Sequence, residues 1–247
     1  MNLELNGNSY ESDYKNVVLK TIEFVKDKLK HAESGHDFFH IERVWKNSLL
    51  IAAKEREFYE NSENENGMTS TCNKPQINLI VVELAALLHD IADHKFNNGD
   101  DTKGPIIARE FLSSINVEED VINEVCEIIA TISFKGSTEK NDMKTFEGKI
   151  VQDADRLDAL GAIGIARTFT YGGFKNRVLY DPNVKPNLDM NWEQYKNHKG
   201  TTINHFYEKL LLIKDKMHTN SGKALAEKRH LLMTDFLNSF VEEWNAN

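Results

Sequence analysis

Long apolar runs are missing from this chain: nowhere do about 18 consecutive apolar residues occur, the length a membrane-spanning helix needs. Cysteine is scarce too. Only Cys72 and Cys126 are present, one in a polar stretch and one in an apolar helical pattern, which excludes a disulfide framework and a thiolate metal cluster and fits a reducing compartment. Basic residues are outnumbered, 30 Lys and Arg against 39 Asp and Glu for a formal charge of -9. That balance argues against broad contact with nucleic-acid phosphates or an anionic membrane. The first residues, "MNLELNGNSYESDYK", lack the basic start and apolar core of a secretory signal. The expectation is a cytoplasmic protein with no nucleic-acid or membrane partner.

What remains is ordinary for a soluble, mostly helical protein: 40% hydrophobic residues, 28% charged, and only 4 prolines in 247 residues. That length suits one well-buried domain. Helical spacing of Val17, Ile22, Phe24, Val25 and Leu29 predicts a first helix over about 12–30. A second begins after Ser34 and Gly35 with Asp37 as its N-cap. "YENSENENGMTSTCNKP" reads as a polar surface insertion at about 60–75. "QINLIVVELAALLHD" is the most apolar helix candidate and should cross the core.

Further on, Pro105 suits the first turn of a helix over "PIIAREFLSSI", and a helix with acids in its first turn should begin near Glu118. "GKIVQDADRLDALGAIGIARTFTYGG" reads as one long or broken helix, followed by an irregular connection. A C-terminal helical pair fills about 200–245. No strand alternation or internal repeat is evident. The expectation is a single all-α domain over 1–247.

Polar residues interrupt the apolar faces at three places. His40 shares an i, i+4, i+7, i+11 stripe with Val44, Asn47 and Ile51, which turns it inward; a lone histidine there is most simply a satisfied core residue. His89 and Asp90 directly follow the apolar run Leu84 to Leu88. Neighbouring side chains on a helix do not face each other, yet at a helix end both can reach one point. Asp155 shares a face with Val151, Asp158 and Ala162, and a buried carboxylate needs a cation or several donors. Alternatively Asp153, Asp155 and Asp158 pair with Arg156 or another basic side chain. Taken together, two imidazoles and two carboxylates from three helices suit one Mn²⁺, Fe²⁺, Zn²⁺, Co²⁺ or Ni²⁺ ion better than Mg²⁺ or Ca²⁺.

In order and context, His40, His89-Asp90 and Asp155 resemble the H…HD…D signature of the HD-domain metal-dependent phosphohydrolases, an all-α helical bundle. "GHDFFHIERV", "ISFKG", "VQDADRLDALGAIGIARTFTYGG" and "INHFYEKL" extend the resemblance from about Ser34 to Trp244, closest to the YpgQ/YedJ-type bacterial subgroup. The family's pattern places its aspartate directly before Arg-Leu, which selects Asp155 over Asp153. A second HD dipeptide, His36-Asp37, has no apolar run before it and is read as a cap.

The resemblance implies His40, His89, Asp90 and Asp155 as ligands of one divalent metal, with Mn²⁺ as the first choice, and water attack on a phosphoryl group. Asp93, i+4 from His89, is the candidate to orient or deprotonate that water. Lys95, Lys135, Arg156, His205 and Lys209 are the candidates for phosphate oxygens, with His205 and Lys209 one turn apart. The subgroup points to a nucleotide pyrophosphohydrolase giving monophosphate and pyrophosphate, acting as a monomer or homodimer. The alternatives are a 5′-nucleotidase, a triphosphohydrolase, a cyclic-nucleotide phosphodiesterase, or a non-catalytic nucleotide sensor that keeps the metal.

Overall fold

The computed structural model describes residues 5–30, 37–65, 76–92, 102–132, 143–188 and 200–247, with backbone alone for 5–10 and 61–65. Among the described residues the regular elements are all helices, without a strand: α1 (Leu5–Lys28), α2 (Phe38–Glu65), α3 (Leu79–Leu88), α4 (Lys103–Ser114), α5 (Glu119–Ile132), α6 (Phe146–Asp158), α7 (Gly161–Phe174), α8 (Thr202–Glu208) and α9 (Asn220–Trp244). The all-α expectation holds. Two compact units are distinguished, the division falling inside α6 between Val151 and Gln152.

In the first unit α3 packs against α1, α2 and α5, and α4 packs on α5. Every residue of α3 from Val81 to Leu88 is buried, as an element apolar on all sides must be. Around it, α2 contributes Ile41, Val44, Ile51 and Ala52, and α5 contributes Ile122, Val125, Ile128 and Ile132. Asp37 caps α2 as expected, its Oδ1 accepting from the His40 backbone N–H at 3.0 Å. The polar stretch after Tyr59 is helical in its first part, α2 continuing through Glu65; polarity alone does not oppose helix continuation, and glutamate is a good helix former. Residues 66–75 lie outside the described residues.

The second unit is built on α7, which packs against α8 and α9. Its core includes Leu157, Leu160, Ile203, Phe206, Leu210, Met217, Met233 and Leu237, with Phe169, Phe206 and Phe236 in mutual ring contact. The helix expected over "TTINHFYEKLLLIKDKM" is only the seven-residue α8, continued by two short 3₁₀ turns at Leu210–Leu212 and Lys214–Lys216. The turn pulls inward: Leu210, Ile213 and Met217 are all buried, a spacing of three to four that tight turns serve as well as an α-helix does.

The long helix candidate "GKIVQDADRLDALGAIGIARTFTYGG" is broken, and Gly161 is where it breaks. Leu160 is extended (φ -114°, ψ 159°) and Gly161 takes φ +71°, the left-handed conformation that only glycine adopts without strain. A Cβ there would also come within 3.1 Å of Arg229 Cβ. Gly161→Ala should therefore lower stability by about 1–2 kcal/mol, read as a lower midpoint in urea with an unchanged slope.

Candidate metal centre

His40 sits on the first turn of α2 and His89 at the C-terminal cap of α3, and both are buried. Their rings meet edge-on, with centroids 5.3 Å apart and planes at 70°. His89 Nδ1 lies 2.8 Å from the Ala86 carbonyl oxygen. A carbonyl can only accept, so Nδ1 carries the proton and Nε2 bears the lone pair. This is how metal-binding histidines are commonly oriented. Asp90, the next residue, brings Oδ2 to 3.6 Å from His40 Nε2.

α6 carries three aspartates with three different surroundings. Asp153 is fully buried and accepts from the backbone N–H of His218 (3.0 Å), from the backbone N–H of Thr219 (2.8 Å) and from the Thr219 hydroxyl (2.8 Å). Thr219 is itself the N-cap of α9, its Oγ1 accepting from Gly222 N at 2.9 Å. Asp153 thus anchors the start of α9. A Cβ on Gly222 would come within 2.4 Å of Asp153 Oδ2, so glycine is what allows that approach. Asp158 is buried against Arg167, 2.5 Å away. Asp155, between them in sequence, is half-buried.

The basic-partner alternative is thus met by Asp153 and Asp158. The two imidazoles, with the Asp90 carboxylate beside His40, offer donors that fit a divalent transition-metal ion.

The expected phosphate-binding residues are spread over several places. Arg156 is mostly buried, donates to the Lys216 carbonyl oxygen and lies 3.9 Å from Asp153 Oδ1, so part of its guanidinium ties α6 to the last 3₁₀ turn. His205 and Lys209 occupy the end of α8. Burial, then the neighbouring charges of Lys209 and Arg177, push the His205 pKa down to about 3. Asp93, Lys95 and Lys135, like His36 of the second HD dipeptide, lie outside the described residues.

Two residues passed unnoticed in the sequence. Arg177, whose guanidinium carbon lies 5.5 Å over the Tyr171 ring, adds a cation to the surroundings of His205 and carried no signal in its polar connection. Glu83 did carry one. It is the only charged residue of α3, and it is buried, accepting from Trp45 Nε1 at 2.6 Å and from the Tyr14 hydroxyl.

Comparison with known proteins identifies the family. The HD domain model matches residues 37–160, and the chain belongs to the HD-domain family. Bacillus subtilis YpgQ is 32% identical over 224 residues, covering 89% of this chain and 90% of YpgQ. The structure of an HD-superfamily hydrolase from Bacillus thuringiensis superposes with a TM-score of 0.70 at 40% identity, over 95% of this chain and 100% of that one. YpgQ solved in complex with ADP gives a TM-score of 0.65 at 30% identity, over 92% of this chain and 96% of YpgQ. The protein is a metal-dependent phosphohydrolase of the HD superfamily. No helix among the described residues is long and apolar enough to cross a membrane.

Two outcomes are expected from this arrangement. Asp153→Asn should destabilise the fold by about 2–4 kcal/mol, since hydrogen bonds to a charged group contribute about 1.5–3 kcal/mol each. Asp155→Asn should leave the melting temperature nearly unchanged but weaken metal binding, and melting curves beside metal titrations separate the two. The second outcome concerns His205. Its folded pKa lies below its unfolded value of 6.5, so the unfolded chain binds the extra proton as pH falls from about 6.5 towards about 3, and stability is lost across that window. His205→Gln should flatten this part of the melting-temperature profile.

Proposed function

We propose that this protein is a nucleotide pyrophosphohydrolase that converts a nucleoside or deoxynucleoside triphosphate to the monophosphate and pyrophosphate. The edge-on meeting of the His40 and His89 rings, with the His89 tautomer set by Ala86, carries the reading. His40, His89 and Asp155 hold the cation, and Asp90, 3.6 Å from His40, completes the set. A bound divalent ion, Mn²⁺ in the first instance, supplies Lewis acidity towards a phosphate oxygen and makes water a better nucleophile near neutral pH.

The chain's own groups do the rest. Asp93, four residues beyond His89 in the sequence, orients the attacking water and takes its proton. Arg156, Lys95, Lys135, His205 and Lys209 neutralise or donate to the phosphate oxygens. His205 enters as a neutral imidazole over the physiological range, because burial and its two cationic neighbours hold the pKa near 3. It therefore serves as a hydrogen-bonding group, while Lys209 supplies the charge. That YpgQ was solved with ADP supports a nucleotide as the ligand, and the negative net charge supports a small-molecule substrate over a polynucleotide. The place of action is the cytoplasm, with the protein a monomer or a homodimer.

Chelator-treated protein given Mn²⁺ and a panel of nucleoside and deoxynucleoside triphosphates tests the reading. Phosphorus NMR should resolve pyrophosphate and monophosphate as the products. Orthophosphate alone would replace the proposal with stepwise phosphate removal, and inorganic triphosphate with free nucleoside would replace it with a triphosphohydrolase. Absence of turnover with Mn²⁺, Fe²⁺, Co²⁺, Ni²⁺ or Zn²⁺ would replace it with a nucleotide sensor.

A further inference from the structure

We infer that Glu83 is a positioning residue for the metal centre: its bond from Trp45 clamps α3 to α2 and sets how far apart His40 and His89 are held. The inference rests on the assignment of those two histidines as ligands. α3 is otherwise apolar, with Glu83 buried in the middle of it. A carboxylate in such surroundings is costly unless hydrogen-bonded, and apolar packing alone would have served cohesion there. What the carboxylate adds is direction. Trp45 Nε1 donates to Oε2 at 2.6 Å, a charge-assisted bond whose length and angle are far more restrictive than a contact between aliphatic side chains.

Both ends of this bond lie close to the proposed ligands. Trp45 is five residues beyond His40 on α2, and Glu83 six residues before His89 on α3, so each is within about 10 Å along its helix at 1.5 Å rise per residue. The neighbouring helices contact each other directly, and an axial slip of one against the other would stretch the bond and displace one imidazole relative to the other. The tryptophan's rigid two-ring side chain transmits that constraint.

The other oxygen provides the control. Glu83 Oε1 accepts from the Tyr14 hydroxyl, and Tyr14 is on α1, which carries none of the proposed ligands. Losing that bond weakens the same buried carboxylate without touching the α2–α3 tie. Trp45→Phe and Tyr14→Phe each remove one donor and keep an aromatic ring, so the full-length variants can be compared directly.

Manganese titration of the chelator-treated proteins by calorimetry, beside their melting temperatures, separates positioning from plain cohesion. Trp45→Phe is expected to weaken Mn²⁺ binding by about 10-fold or more, within the range for outer-shell partners of metal ligands. Tyr14→Phe is expected to lower the melting temperature while leaving Mn²⁺ affinity within about twofold of the wild type. If Trp45→Phe folds poorly, Glu83→Met replaces it: it leaves Trp45 Nε1 without its acceptor, and the same loss of affinity is expected. Equal effects of Tyr14→Phe and Trp45→Phe on affinity, or none from Trp45→Phe and Glu83→Met, would overturn the inference. Failure of the wild-type protein to bind Mn²⁺ would instead strike the ligand assignment beneath it.

Discussion

A histidine whose ring proton is held by the backbone of its own helix organises this protein. His89 donates Nδ1–H to Ala86 one turn earlier, so Nε2 must present its lone pair to whatever lies ahead. The bond requires α3 to be helical up to that point, and α3 is helical because every side chain from Val81 to Leu88 is buried. An apolar helix so deep in the first unit cannot easily reorient. The chemistry of the imidazole therefore follows from the hydrophobic burial of the seven or so residues before it.

The same logic explains why so many carboxylates are tolerated in the interior. Asp153 serves the first turn of α9 through His218 and Thr219. Asp158 is neutralised by Arg167, and Glu83 is shared by Trp45 and Tyr14. In each case the cost of burying charge is offset by donors in specific geometry, and the result fixes a helix end or a helix pair. Asp155, on the same helix as Asp153 and Asp158, is only half-buried.

Much of this was legible in the sequence. The helices of the first unit were marked by apolar periodicity and by Asp37 as a cap, and the interruption of apolar faces by His40, His89 and Asp90 was visible in a single chain. Less legible were features that depend on a partner distant in sequence. Glu83 stood out only as a charge among leucines and valines, because its donors are 69 and 38 residues away. The shortening of α8 into 3₁₀ turns was hidden because both geometries bury residues three or four apart.

The sequence by itself determined the helical class, the residue types available to a metal and the order in which they occur, since local periodicity and side-chain chemistry are properties of neighbours along the chain. Only the tertiary structure decided which partners hold Asp153 and Asp158 of α6. Positions 153, 155 and 158 are two and three residues apart, so they leave the helix at different angles of 100° per residue, and each meets a different neighbour. Which neighbour waits there depends on packing between segments remote in sequence, where burial without a partner is forbidden by its energetic cost.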